Sequence, residues 1–128
     1  MIQRTVAALL ALFFLAAGVL HFIELEGFAR IVPPFLPAPK TIVIITGIYE
    51  IILAIGMLAS LTQPRLQLLG YGAVAYCVAV LPANIYQAME GFSNMGLPGD
   101  PTVLWGRVLL QLPLILLILW ACKVNKPL

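Results

Sequence analysis

Six side chains carry the chemistry this sequence has to offer: His21, Glu50, Asn84, Gln87, Arg107 and Gln111. Each sits within or at the edge of a long apolar run, where hydrocarbon offers no hydrogen bond. An Arg or Asp at mid-helix in a bilayer costs about 2.5–3.5 kcal/mol on insertion scales, so such residues mark ligand sites, proton paths or helix-pairing contacts. An acid, a guanidinium, an imidazole and three amides make a set suited to a carbonyl, a hydroxyl or an anion. In that reading Arg107 holds the acceptor or anion, Asn84 and Gln111 orient it, and Glu50 counters Arg107 or relays a proton. The bland alternative is that an internal Glu–Arg pair with amide partners only sets which helices pack together; such hydrogen bonds average about 0.6 kcal/mol in membranes.

The same inventory excludes several chemistries. With one histidine, the chain cannot supply a bis-histidine haem site or a His-rich metal centre. It has no Cys-x-x-Cys pair, no phosphate-binding glycine loop and no Gly-x-Ser-x-Gly elbow. Its two cysteines, Cys77 and Cys122, read as apolar thiols at mid-span and at a helix end, too far apart to meet. A metal held by Glu50 and His21 would need ligands at different depths, so no metal and no covalent cofactor is expected. A net charge of +2 gives no footprint for nucleic acid.

These residues need elements to position them, and the composition says which. Of the 128 residues 62% are hydrophobic and 9% charged, against about 25% charged in a soluble domain. A spanning helix takes about 20 mostly apolar residues. Four segments qualify, at 5–22, 41–61, 66–89 and 102–122, within one domain over 1–128. The first resembles a secretory signal, but three further apolar segments follow it, and it reads as the first membrane helix. The fold expected is all-α: an integral membrane four-helix bundle of up-down topology. Thr62-Gln63-Pro64-Arg65 is a tight turn, and Asp100-Pro101 is a helix cap followed by a first-turn proline. Pro82 and Pro113 should bend the third and fourth spans, and Ala75, Ala79 and Ala83 form a small-residue stripe for close packing.

Depth and facing then gather the polar set. At about 1.5 Å per residue, Glu50 and Gln111 lie about 13 Å from the starts of their spans, and Arg107 about 8 Å. Asn84 is comparably deep, while His21 and Gln87 sit near the boundary, all in one leaflet. Arg107 and Gln111 are four apart and Asn84 and Gln87 three apart, so each pair shares a helix face. Four polar faces turned inward make a polar cavity. Tyr49, Tyr86 and Trp105 form an interfacial aromatic belt, Tyr86 also being placed to line the pocket. The segment from Ile23 to Lys40, with its Ile31-Val32-Pro33-Pro34-Phe35-Leu36-Pro37-Ala38-Pro39 core, is too apolar for a solvated loop and too proline-rich for a helix. It is expected to lie at the interface, across the mouth of the bundle. Arg4, Arg65, Lys123 and Lys126 on one side against Arg30 and Lys40 on the other put both termini in the cytoplasm, with a bacterial cytoplasmic membrane as the setting.

Several strings together resemble the DoxX-like family of small membrane proteins. They are Ala17-Gly18 with His21-Phe22, the Ile31–Pro37 stretch, Thr46-Gly47-Ile48-Tyr49-Glu50, Leu81-Pro82-Ala83-Asn84-Ile85-Tyr86, and Trp105-x-Arg107 followed by Gln111. They run in order over nearly the whole chain. Family members usually carry Leu-Pro-Leu-Gln after the arginine, where this chain has Val108-Leu109-Leu110-Gln111 and a displaced Pro113. The resemblance implies a four-helix membrane fold and a site at His21, Glu50, Asn84, Arg107 and Gln111. It also implies an accessory place beside a quinone-linked oxidoreductase, or, as in animal relatives, an assembly chaperone. The function expected is an accessory, non-catalytic membrane protein whose outer-half cavity binds a small polar or amphipathic molecule, a quinone or a lipid headgroup. Its rivals are a quinone-linked redox subunit and an assembly factor or scaffold whose polar cluster is structural. The partners expected are membrane lipid, that ligand, and a membrane protein or a second copy of the chain.

Overall fold

A computed structural model of the chain describes residues 2–91 and 100–123. Five helices follow one another: α1 (Ile2–Ile23), α2 (Leu25–Arg30), α3 (Pro39–Ala59), α4 (Arg65–Glu90) and α5 (Pro101–Ala121). There is no strand among the described residues. Four of the helices, α1, α3, α4 and α5, are long and apolar enough to cross a membrane. Their flanks expose Leu9, Phe13, Ile45, Ile52, Leu109 and Leu112, each more than half accessible. Water would penalise such a surface, whereas lipid tails solvate it.

Local chemistry sets the helix ends. The Asp100 carboxylate accepts a 2.9 Å hydrogen bond from the Thr102 N–H, with Pro101 in the first turn, which is the cap the sequence announces. Pro39 opens α3, and the residue before it, Ala38, takes the left-handed conformation at φ 49°, ψ 63°. Two turn hydrogen bonds, Gln63 N–H to Ser60 O at 2.9 Å and Leu66 N–H to Gln63 O at 3.1 Å, shape the short connection between α3 and α4. Gly91, at φ 75°, closes α4 with its N–H on Gln87 O. Pro82 and Pro113 both lie inside their helices.

Two close pairs, α1 with α3 and α4 with α5, are joined edge to edge by α3–α4 and α1–α5 contacts. Glycines set the close approaches. A Cβ on Gly18 would stand 2.7 Å from Ile51 Cγ1 and 3.1 Å from Gly47 O; one on Gly47 would stand 2.8 Å from His21 Cβ. On the other pair, a Cβ at Gly70 would fall 2.5 Å from Cys122 Cβ. The Tyr49 hydroxyl donates to Gly72 O at 2.7 Å between α3 and α4, and Gln3 Nε2 donates to Trp120 O at 2.8 Å between the start of α1 and the end of α5. Close packing therefore belongs to these glycines. The alanine stripe does something else: Ala75 and Ala79 are exposed, and Ala79 and Ala83 line a cavity.

The four long helices pack densely near the start of α1, where Ala7, Leu10, Met57, Leu66, Ile118 and Ala121 are buried together. Towards the other end of α1 the two pairs stand apart, and α1 meets α4 there through side chains without backbone contact. The chain between α1 and α3 contributes residues to the lining of that gap. The loop expected over this whole stretch is in part helical: α2 occupies Leu25–Arg30, and only 31–38 is irregular. The reason is compositional, since the six residues before Ile31 contain no proline while the next nine contain four. Lys40 Nζ lies 2.6 Å from Glu26 Oε1, tying α2 to the first turn of α3. That hydrogen bond and the adjacent lysine charge hold the Glu26 carboxyl below its ordinary range.

Candidate binding cavity

The gap between the helix pairs is a cavity of about 490 Å³. Its wall is mostly apolar, from Phe14, Val43, Val80 and Leu114, and the connecting segment contributes Phe28, Ile31, Val32, Pro33, Phe35 and Leu36. Two polar groups of residues face into it. One is His21, Glu50 and Tyr76; the other is Asn84, Arg107 and Gln111. A volume of this order and a few convergent polar groups in an apolar wall are the usual features of a small-molecule site.

The first group is built where α1 crosses α3. Because Gly47 has no side chain, His21 of α1 packs directly on α3, one turn from Glu50. His21 Nδ1 lies 2.7 Å from the Ala17 carbonyl oxygen and 3.5 Å from Glu50 Oε1. Phe28 of α2 stacks on the imidazole at 4.3 Å between centroids and 19° between planes. From α4, the Tyr76 hydroxyl donates to Glu50 Oε1 at 3.0 Å and stands 3.2 Å from His21 Nε2. Tyr76 is itself clamped, stacked on Tyr49 and edge-on to Phe14. His21 and Glu50 are 7% and 2% exposed, so both side chains are buried at the cavity wall.

The expectation that His21 and Glu50 lie at different depths is therefore corrected. Counting residues along each helix ignores where the helices cross, and the Gly18–Gly47 crossing brings the imidazole down to the carboxylate. The pairing expected for Glu50 is corrected as well. Glu50 and Arg107 form no ion pair; Glu50 is engaged by Tyr76 and His21, and Arg107 Nη1 donates to Gln87 Oε1 at 3.2 Å. Tyr76 was not among the residues singled out by sequence. The available signal was its place near the middle of an apolar helix, eight residues from Asn84 and so near the same face.

Of the second group, Asn84, Arg107 and Gln111 all line the cavity, Arg107 and Gln111 from one face of α5. Gln111 Oε1 is a buried oxygen with no hydrogen-bond partner. Gln87 and Tyr86 are not in the wall. Gln87 is 1% exposed and acts from behind it by holding Arg107. A second cavity, of about 450 Å³, opens between α1, α4 and α5 beside Phe13, Leu110 and Leu117, and it shares Asn84, Arg107 and Gln111 with the first. Cys77 borders the main cavity, and both cysteines are free and buried. The described residues contain no cluster of three or more His, Cys, Asp or Glu able to hold a metal ion.

Residues 10–125, which include every residue of both polar groups, match the family model described as domain of unknown function DUF8561. The chain belongs to that family. No curated protein and no solved structure matches it. In this DUF8561 member the crossing glycines, the His21–Glu50–Tyr76 group and the Arg107–Gln111 face all fall inside the matched region.

Proposed function

We propose that this protein binds a small amphipathic molecule within the membrane, in the cavity between its two helix pairs, and serves as an accessory component of a membrane redox system. The observation that carries this reading is the pair of polar groups facing one apolar-walled space of about 490 Å³, with Gln111 Oε1 buried and unpartnered at its edge. A buried polar oxygen without a partner costs about 1–3 kcal/mol, which a ligand donor would recover. Arg107 and the Gln111 amide suit a carbonyl or anionic oxygen, the aromatic and aliphatic wall suits an apolar body, and a quinone or lipid headgroup fits both. The resemblance to the DoxX-like family supports the accessory redox setting.

The bundle is taken as up-down, with the 31–38 stretch at the interface over the cavity mouth. The balance of Arg4, Arg65 and Lys123 against Arg30 and Lys40 supports cytoplasmic termini; Lys126, which adds to that balance, lies outside the described residues. The setting is the bacterial cytoplasmic membrane, the cavity then lying in the outer half of the bilayer.

Native mass spectrometry of the protein released from nanodiscs tests the binding role. The expected result is one bound amphipathic molecule per chain, lost or weakened at least tenfold in Arg107→Gln, together with a ligand-dependent rise in melting temperature in the wild type alone. A chain that carries no such molecule, and an Arg107→Gln variant with the same melting behaviour, would overturn it in favour of a scaffold whose polar residues only hold helices together.

A further inference from the structure

Arg107 is a charge without a counter-charge. It donates to the Gln87 amide and forms no ion pair among the described residues. Of the chain's five acidic residues, Glu26 pairs with Lys40, Glu50 is engaged by Tyr76 and His21, Asp100 caps α5, and Glu24 and Glu90 are exposed just past α1 and at the end of α4. A guanidinium keeps its charge at any working pH, and a charge within a span is costly unless something pairs with it. Long arginine side chains commonly avoid that cost by reaching up to the membrane surface. Here the buried Gln87 fastens one N–H of Arg107 to α4 instead. Arg107 is itself exposed and lines both cavities, so its remaining N–H groups are left for whatever enters them. At the other pole of the main cavity Glu50, Tyr76 and His21 contact one another, so the demand for an outside partner of opposite charge lies at Arg107.

The second cavity is arranged as a lipid is. Its polar groups are Asn84 of α4 and, in the first half of α5, Arg107 and Gln111; past Gln111 the lining is apolar and follows α5 to Leu117. From Arg107 to Leu117 the helix rises about 15 Å, half of a hydrocarbon core of about 30 Å and so the depth of one leaflet. Phe13 of α1 and Leu110 and Leu117 of α5 are exposed flanks of this cavity. In a bilayer it therefore stands open to acyl chains between α1 and α5. Donors and a positive charge at one end, with hydrocarbon from there inward, repeat the order of head and chain in a leaflet.

Resting on the binding role proposed above, we infer that the ligand is an anionic amphiphile of the bilayer, its carboxylate or phosphate head on Arg107 at the wall the two cavities share and its chain in the second cavity along α5. The Gln111 amide nitrogen adds a donor for the oxygens of the head. The molecule enters sideways from the membrane. Its chain exchanges one apolar surrounding for another, because lipid tails are as apolar as leucine, and so the head sets the affinity.

The test is native mass spectrometry of the full-length protein released from phosphatidylcholine nanodiscs that carry one oleoyl amphiphile at a time, at mildly alkaline pH. Oleate, oleoyl lysophosphatidate or both are held about tenfold more tightly than oleoylglycerol, the scale of one hydrogen bond to a charged group. Shortening the chain by a few carbons changes retention only within a few-fold. Arg107→Gln removes the preference for the anion, and Arg107→Lys keeps most of it. Inorganic phosphate does not displace the bound amphiphile; displacement would show a free-anion site and overturn the lipid assignment. A second readout places the chain. In protein carrying Trp105→Phe and Trp120→Phe, the fluorescence of Leu117→Trp is quenched by stearate brominated at mid-chain more than that of Leu9→Trp, whose position is an exposed flank of α1 outside both cavities. That comparison is made with Arg107 in place, so it stands even where Arg107→Gln folds poorly. Equal retention of oleoylglycerol and the anions, a preference that survives Arg107→Gln, or equal quenching at the two positions would overturn the inference. If a neutral amphiphile is held and is lost in Arg107→Gln, the inference falls and the binding role stands; if nothing is held, both fall.

Discussion

Gly47→Ala is the substitution that presses hardest on the way the site is built. In an exposed helix interior, Gly→Ala is favourable by about 1 kcal/mol. At Gly47 the new methyl would sit 2.8 Å from His21 Cβ, 3.1 Å from Phe22 Cε2 and 3.3 Å from Gly18 O. The first of these is the decisive one, because a Cβ cannot rotate away and α1 itself must move. Overpacking of this kind costs about 1–3 kcal/mol. Set against the helix preference, the net loss is centred on about 1 kcal/mol and reaches at most about 2, a factor of roughly 5, at most roughly 30, in the folding equilibrium. Gly106 of α5 provides the control, since a Cβ there meets nothing within 4 Å. Gly106→Ala should stabilise by about 0.5–1 kcal/mol. Reversible unfolding in mixed detergent micelles, followed by circular dichroism, compares the two directly. The same chemical change should carry opposite signs, and Gly47→Ala should also weaken ligand retention because His21 moves off Glu50 and Tyr76. If Gly47→Ala is neutral or stabilising, α1 and α3 do not cross in contact there, and the positioning of His21 fails with it.

Other sites yield further expectations. Gly70→Ala should destabilise by about 1–3 kcal/mol; because the clash is with Cys122 Cβ at 2.5 Å, Cys122→Gly should relieve it in the same unfolding assay and Cys122→Ala should not. Ala38→Gly should raise stability by about 0.5–1 kcal/mol, since a left-handed residue at φ 49° costs about 1–2 kcal/mol with a Cβ and glycine gives part of that back in chain entropy; a lowered melting temperature would contradict it. The Glu26 carboxyl, held below its ordinary value of 4.5 by the Lys40 hydrogen bond and charge, should titrate upward in Lys40→Met when followed by NMR. Because the folded-state value is the depressed one, the α2–α3 tie is fully present above the ordinary value and is lost as pH falls through the folded value.

The membrane helices were legible because length and hydropathy are sufficient for them: the spans expected at 5–22, 41–61, 66–89 and 102–122 are the helices Ile2–Ile23, Pro39–Ala59, Arg65–Glu90 and Pro101–Ala121. The α5 cap was equally plain, as Asp100-Pro101 satisfies a local rule. Arg107 and Gln111 line one cavity together because a helix face is a property of spacing within one segment, whereas Gln87, expected on the face of Asn84, lies outside that wall. What depends on how separate helices meet was not legible. Gly18 and Gly47 read as ordinary small residues until placed opposite each other, and only their crossing puts His21 on Glu50. Tyr76 looks like filler in an apolar run and becomes a bridge only because α4 faces α1 across the gap. Arg107 was matched with Glu50 on charge, leaflet and inward facing, whereas its hydrogen-bond partner is an amide, Gln87.

The most direct measurement is a high-resolution structure of the protein in a lipid bilayer, inspected between Glu50 and Arg107. The binding account predicts one ordered molecule there, with an oxygen within hydrogen-bond distance of Glu50 Oε2 or of the Arg107–Gln111 pair and an apolar body against Phe14, Val80 and Leu114. A space filled by collapsed side chains or only by an acyl tail, with no polar atom meeting either group, would contradict it.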